Sequence, residues 1–211
     1  MAEALLSRWA TWYLPGQLSA RVRTRSAGVV APVGAPMGER VQQIVAALGS
    51  DGSAHVARLL TDADVREADL VLTASRRLRD EVLQRVPSAV RRTFTIREAG
   101  RIAATLEPKR ANTVQDLRSA VGRLAHHRLP GDDDIIDPEG RGDAAYVALV
   151  TQEVPALVQL ATMLYGMTRG DAERYLTVVK TGEGLPLPTG VVPGGGEPRS
   201  GSLPATGRRV S

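Results

Sequence analysis

The chain has 211 residues, of which 43% are hydrophobic but only 3% aromatic, so we expect one domain of ordinary size with a core of Ala, Val and Leu. The net charge of +4 comes from cations spread along the chain, nearly all of them arginine, which does not favour a nucleic-acid partner. No apolar run approaches the roughly 20 residues that cross a bilayer, and no secretory signal is visible, so we expect a cytoplasmic protein. The absence of cysteine excludes disulfides, thiolate metal sites and a cysteine nucleophile within these residues.

The first element is predicted to be an amphipathic helix over residues 1–14. Leu5, Trp9 and Trp12 recur at helical spacing in this segment. A helix is normally preceded by a capping residue and a turn, and nothing stands before Met1 to supply them. We therefore expect a segment to be missing ahead of this helix.

The rest of the chain alternates short apolar strands with helices, which predicts an α/β fold with a parallel sheet. The predicted strands cover residues 21–26, 70–72 and 92–96, and the predicted helices cover residues 39–48, 61–68, 76–85, 97–106, 113–124 and 143–165. Pro155 is expected to kink the last of these helices. Because the first element is a helix, a strand is expected to be missing before it.

The composition changes near residue 166. Residues 181–211 are dominated by Gly, Pro, Thr and Ser and have few apolar side chains, which is typical of disorder. We therefore predict a folded domain over residues 1–166, followed by a linker and a disordered tail over residues 167–211.

Few residues suggest chemistry by themselves. Asp137 precedes a rigid proline in a polar loop, which suits a general acid, although Asp-Pro is more often simply a turn. The acidic residues Asp132, Asp133, Asp134, Asp137 and Glu139 lack the spacing of a calcium loop, so we expect a solvated loop and no metal. His55 is a lone histidine and, by itself, is expected to be structural.

Taken in chain order, however, the fragments resemble the low-molecular-weight protein-tyrosine phosphatase family over roughly residues 1–165. The similar fragments are Met1–Leu5, Arg25–Gly28, Gly34–Met37, His55–Arg58, Glu67–Thr73, Arg92–Ile96 and Asp137–Pro138. The resemblance implies a three-layer α/β sandwich around a four-stranded parallel sheet. The first, central strand of that sheet and the C-x5-R phosphate loop after it are missing from this sequence.

The family's chemistry implies hydrolysis of phosphotyrosine monoesters through a phosphocysteine intermediate, without a cofactor. The substrate is expected to be a phosphotyrosine-containing protein or a small phosphomonoester. By position, Asp137 is the expected general acid, and Ser26 and His55 match residues that brace the phosphate loop. Glu139 stands where the family usually has an aromatic residue, which departs from the pattern for phosphotyrosine.

Because the nucleophile is absent, we expect the 211-residue chain to be inactive, and the preferred hypothesis is a start codon assigned too late. Loss of the central strand would leave residues 21–26 and 70–72 without a shared neighbour, at a cost comparable with the whole stability of a domain. One alternative is a non-catalytic remnant or binding module. The third choice is an arsenate reductase, which needs additional cysteines.

Overall fold

Helices and short strands alternate along the part of the chain that the computed structural model describes, residues 1–128 and 131–186. In chain order the elements are α1 (Ala2–Tyr13), α2 (Gly16–Ser19), α3 (Glu39–Ala47), α4 (Asp62–Glu67), β1 (Val71–Thr73), α5 (Arg76–Arg85), a 3₁₀ helix (Pro87–Arg92), β2 (Thr93–Thr95), α6 (Ile96–Thr105), α7 (Val114–Ala125), α8 (Asp143–Tyr165) and α9 (Arg169–Thr181). The predicted helices are therefore present, with ends shifted by at most one residue.

Several helices begin where the sequence places a hydroxyl side chain. Thr61 accepts a hydrogen bond from the backbone N–H of Asp64, whose carboxylate accepts one from the N–H of Thr61, which forms a capping box at α4. Thr113 and Asp116 form the same arrangement at α7. These bonds satisfy N–H groups that the first turn of a helix leaves free, so the caps fix where each helix starts.

The two strands form a parallel sheet that lies between two layers of helices. Val71 pairs with Thr93, and Leu72 pairs with Phe94. Val71 packs on a small apolar cluster that includes Val65 of α4, whereas Leu72 and Phe94 face the large core beneath α1, α6 and α8. Successive side chains of a strand point to opposite faces, and the sheet therefore separates two cores. The predicted three-layer α/β class is confirmed.

The strand predicted over residues 21–26 is wrong. Among the described residues, 23–27 make no backbone hydrogen bond to any other segment. The pairing begins only at Gly28, whose N–H donates to the carbonyl of Arg58 at 3.0 Å and whose carbonyl accepts from Leu60 at 2.9 Å. An alternating sequence becomes a strand only beside a partner, and no partner reaches this segment in the described part of the chain.

Helix α8 is the central helix of the large core. It runs unbroken through Pro155 and is buried against α1, α6 and α9. It is long and apolar enough to cross a membrane by length and composition, but most of its apolar face lies inside the fold. Its closest neighbour is α6, because Gly100 lies directly against Ala156, and a Cβ at Gly100 would stand 2.5 Å from the Ala156 Cα.

The folded domain extends beyond the predicted boundary at residue 166. Helix α9 follows the turn at Gly166, and Thr168 caps it. Its Tyr175 ring meets the Trp9 ring edge-on at 5.0 Å between centroids, and Leu185 beyond the helix is buried. The boundary was placed too early because α9 is mostly polar and contributes only a narrow apolar stripe. The rest of the predicted tail, residues 187–211, lies outside the described residues.

Candidate active site

A carboxylate in the first turn of α1 joins two of the predicted site residues. The Ser26 hydroxyl donates a hydrogen bond to Oε2 of Glu3 at 2.5 Å. His55 Nδ1 lies 3.3 Å from the same oxygen. The three residues come from α1 and from two loops that are far apart in sequence. The structure therefore brings Ser26 and His55 to one carboxylate, and their role in bracing a phosphate loop stays a prediction.

Glu3 is the residue that the sequence reasoning missed. It lies inside the fragment Met1–Leu5 on which the family resemblance rests, but no role was assigned to it. Its position in the first turn of α1 suits a carboxylate, because the helix dipole favours negative charge there. An acidic residue in an otherwise apolar first turn was the signal that could have found it.

The loop that carries Asp137 is fixed at the carboxyl end of the sheet. The N–H of Ile135 donates to the carbonyl of Ala74, the residue after β1, at 2.8 Å. The N–H of Ile136 donates to Oε1 of Gln152 in α8 at 2.8 Å. Ligands of open parallel sheets bind at this edge, so the loop stands where a site is expected.

Asp137 itself is exposed to solvent. Its Oδ1 accepts a hydrogen bond from the backbone N–H of Glu139 at 3.1 Å, which forms a short side-chain turn. The turn reading of Asp137-Pro138 is thus correct locally. The other carboxylate oxygen of Asp137 makes no hydrogen bond within the described residues.

Helix α8 links the Asp137 loop to the start of α1. Gln152 holds the loop through Ile136. The next residue, Glu153, is buried and accepts a hydrogen bond from the backbone N–H of Ala2, the first residue of α1. Burial raises the pKa of Glu153, and the amino group of Met1 and this hydrogen bond oppose the rise. One turn of α8 therefore holds both halves of the candidate site.

The predicted solvated loop is confirmed for Asp132, Asp134, Asp137 and Glu139, which are exposed, and is wrong for Asp133. Asp133 is buried and forms an ion pair with Arg101 of α6. Asp134 accepts a hydrogen bond from the backbone N–H of Arg76 at the start of α5, at 2.8 Å. The three carboxylates also lie within ion-pair distance of arginines from neighbouring helices, a contact that the spacing along the sequence does not reveal. The pairs are Asp132 with Arg97, Asp133 with Arg101 and Asp134 with Arg76. These contacts anchor the chain that leads to Asp137.

Comparison with known proteins agrees with the sequence resemblance. Residues 1–104 match the model of the low molecular weight phosphotyrosine protein phosphatase family. No curated protein matches the chain in sequence.

The fold is shared with several solved structures, among them the following three. The chain is similar to the YwlE arginine phosphatase from Geobacillus stearothermophilus, with 24% identity, a TM-score of 0.52 and coverage of 76% of this chain and 80% of that one. Wzb from Vibrio vulnificus is 18% identical, with a TM-score of 0.52 and coverage of 76% of this chain and 86% of that one. A protein tyrosine phosphatase from Entamoeba histolytica is 14% identical, with a TM-score of 0.54 and coverage of 75% of this chain and 83% of that one.

These identities establish the fold alone, whereas the family model matches the segment that holds Glu3, Ser26 and His55. The match ends before Asp137, so the family model does not cover the Asp137 loop. The resemblance of the chain to the low molecular weight phosphotyrosine protein phosphatase family is therefore confirmed, and the family model matches residues 1–104.

Proposed function

We propose that this chain supplies the general acid and the bracing residues of an enzyme that hydrolyses phosphotyrosine monoesters. By family resemblance the protein is a phosphoric monoester hydrolase. The observation that supports the site is the convergence of Ser26 and His55 on one carboxylate oxygen of Glu3. Asp137 adds a carboxyl group at the carboxyl end of β1. A cytoplasmic location, without nucleic-acid or membrane partners, completes the proposal.

The proposed reaction has two steps. A cysteine thiolate attacks phosphorus, an S–P bond forms, and the bond from phosphorus to the phenolic oxygen breaks. Asp137 donates its proton to the departing oxygen. Water then attacks the phosphocysteine, Asp137 accepts a proton from that water, and the S–P bond breaks to release phosphate and thiolate.

The nucleophile must come from outside these 211 residues, because they contain no cysteine. The proposal puts a strand and a C-x5-R-S-P loop before Met1, encoded upstream of the assigned start. Such a strand would lie between residues 23–27 and the free edge of β1, where the described part of the chain has no backbone partner. In that position Glu3, Ser26 and His55 would hold the loop at the start of α1.

The sequence beside Asp137 supports the phosphotyrosine substrate less than it supports the enzyme class. Glu139 follows Asp137-Pro138, and its carboxylate cannot stack on a phenol ring as an aromatic side chain can. One similar structure is an arginine phosphatase, so phosphoarginine is the matched alternative substrate. Faster hydrolysis of phosphoarginine than of phosphotyrosine would replace the proposed substrate. Because the bond broken in phosphoarginine is P–N and not P–O, it would also replace the phosphomonoester class of the enzyme.

The first experiment separates the enzyme from a non-catalytic binding module. The 211-residue chain and the same chain extended by its in-frame upstream codons are assayed with p-nitrophenyl phosphate. The proposal requires turnover by the extended chain and none by the 211 residues. Upstream codons without a C-x5-R-S-P loop, or turnover by the 211 residues alone, would refute it.

A further inference from the structure

A cavity lies at the amino end of the sheet, whereas the candidate active site lies at its carboxyl end. Its volume is about 360 Å³, and its walls are the end of α4, the end of the 3₁₀ helix and one face of α7. These segments precede Val71 and Thr93, the first residues of the two strands. The Asp137 loop instead contacts Ala74 after β1. The cavity is thus separate from the site described above.

The cavity carries an excess of positive charge. Its charged lining consists of four guanidinium groups and two carboxylates, from Arg66, Arg91, Arg92, Arg118, Glu67 and Asp69. Four cations against two anions leave a local excess of two positive charges. Val121 and Ala125 of α7 provide an apolar wall beside them. The cavity is open to solvent, and its excess of guanidinium groups beside a short apolar wall suits a small anion that carries an apolar group.

Two of the arginines are available to a ligand. Arg91 is exposed and has no ion pair or side-chain hydrogen bond within the described residues. Arg118 pairs with Asp69 at 2.9 Å, but both side chains are more than half exposed. Such an exposed pair contributes about 1 kcal/mol or less, so an incoming anion can replace it. Arg92 is held in place by the carbonyls of Val65 and Arg66, at 3.3 Å each.

We propose that this cavity binds the phosphoryl group of a small phosphomonoester. Arg91 and Arg118 would donate to its oxygens, because the planar guanidinium matches a phosphate with two parallel hydrogen bonds. Val121 and Ala125 would contact the organic part of the ligand. The volume is at the lower end of the range for small-molecule sites, which favours a compact ligand. Asp137 takes no part, and the inference does not depend on the proposed catalysis.

The test is isothermal titration of the 211-residue chain with phenyl phosphate and with inorganic phosphate. One saturable site is expected, and Arg91→Ala and Arg118→Ala should each weaken binding at least about ten-fold. Arg91→Lys keeps the charge and should still weaken binding, because lysine lacks the planar group that donates two parallel hydrogen bonds. Glu67→Gln should tighten binding by removing a negative charge.

The matched control is Arg77→Ala, which removes a highly exposed arginine from α5, away from the cavity. It changes the net charge as much as Arg91→Ala does and should leave the affinity unchanged. Tighter binding of phenyl phosphate than of inorganic phosphate supports an organic phosphomonoester as the ligand. Equal or weaker binding of phenyl phosphate would contradict the contact with Val121 and Ala125 and overturn the proposed ligand. Equal weakening by Arg77→Ala and Arg91→Ala, or no saturable binding of either probe, would overturn the proposal.

Discussion

Replacing Gly100 with alanine tests the packing of α6 on α8. The added Cβ would stand 2.5 Å from the Ala156 Cα, 2.6 Å from its Cβ and 2.8 Å from its carbonyl oxygen. Carbon atoms in contact normally lie about 3.5–4.0 Å apart, so the helices would have to separate by about 1 Å. Overpacking of this kind costs about 1–3 kcal/mol. Better helix propensity returns about 0.5–1 kcal/mol, which offsets only part of that cost.

The matched control is Gly122→Ala in α7. Gly122 also lies in a helix, but a Cβ there meets nothing within 4 Å. This variant gains the helix propensity without the clash, so it should be more stable by about 0.5–1 kcal/mol. The free energies of unfolding of the two variants should therefore differ by roughly 1–3 kcal/mol, with Gly100→Ala the less stable.

Urea denaturation followed by far-UV circular dichroism measures this difference. The midpoint should fall for Gly100→Ala and rise for Gly122→Ala, with similar slopes for all three chains. Equal stabilisation by the two substitutions would show that α6 and α8 are not in close contact at Gly100. The arrangement of the large core would then be wrong.

Three further predictions concern stability. Trp9→Ala should cost about 3–5 kcal/mol, because Trp9 is fully buried, whereas Trp12→Ala should cost far less because Trp12 is 47% exposed; urea denaturation compares them, and equal costs would contradict the packing of α1. The Arg58 guanidinium lowers the pKa of Asp64, so its stabilising contribution is full above about pH 4 and is lost as the pH falls through the lowered folded pKa. Asp64→Asn should therefore reduce the loss of unfolding free energy as the pH falls below about 4, measured by urea denaturation at a series of pH values. An unchanged pH dependence would refute this prediction. Burial raises the pKa of Glu153, so stability should decline as the pH rises above about 4.3, and Glu153→Gln should remove this decline.

Local sequence signals predicted the helices well, because their starts depend on side chains a few residues away. Thr61 and Thr113 cap α4 and α7 through bonds that span three residues. The strands at Val71 and Thr93 were also predicted within two residues, since both are short runs of β-forming side chains. Helix α9 was missed because its narrow apolar stripe was outweighed by its polar composition.

Contacts between distant segments could not be predicted in the same way. Residues 21–26 alternate like a strand, but pairing depends on a neighbour that the described chain does not provide. Asp133 reads as a solvated residue until Arg101, 32 residues away, is placed beside it. Glu3 lies 23 residues from Ser26 and 52 from His55, so its role became visible only in three dimensions.

The central claim is that Asp137 is the general acid of a phosphatase, and leaving-group dependence tests it most directly. In the chain extended by its upstream codons, Asp137→Ala should slow hydrolysis of phenyl phosphate by roughly 10²–10⁴-fold. Phenol, like tyrosine, has a pKa near 10 and needs a proton as it departs. p-Nitrophenolate is a weaker base than phenolate and depends less on a proton as it departs. Hydrolysis of p-nitrophenyl phosphate should therefore slow much less in the Asp137→Ala variant. An equal loss for both substrates, or none, would contradict the assignment of Asp137.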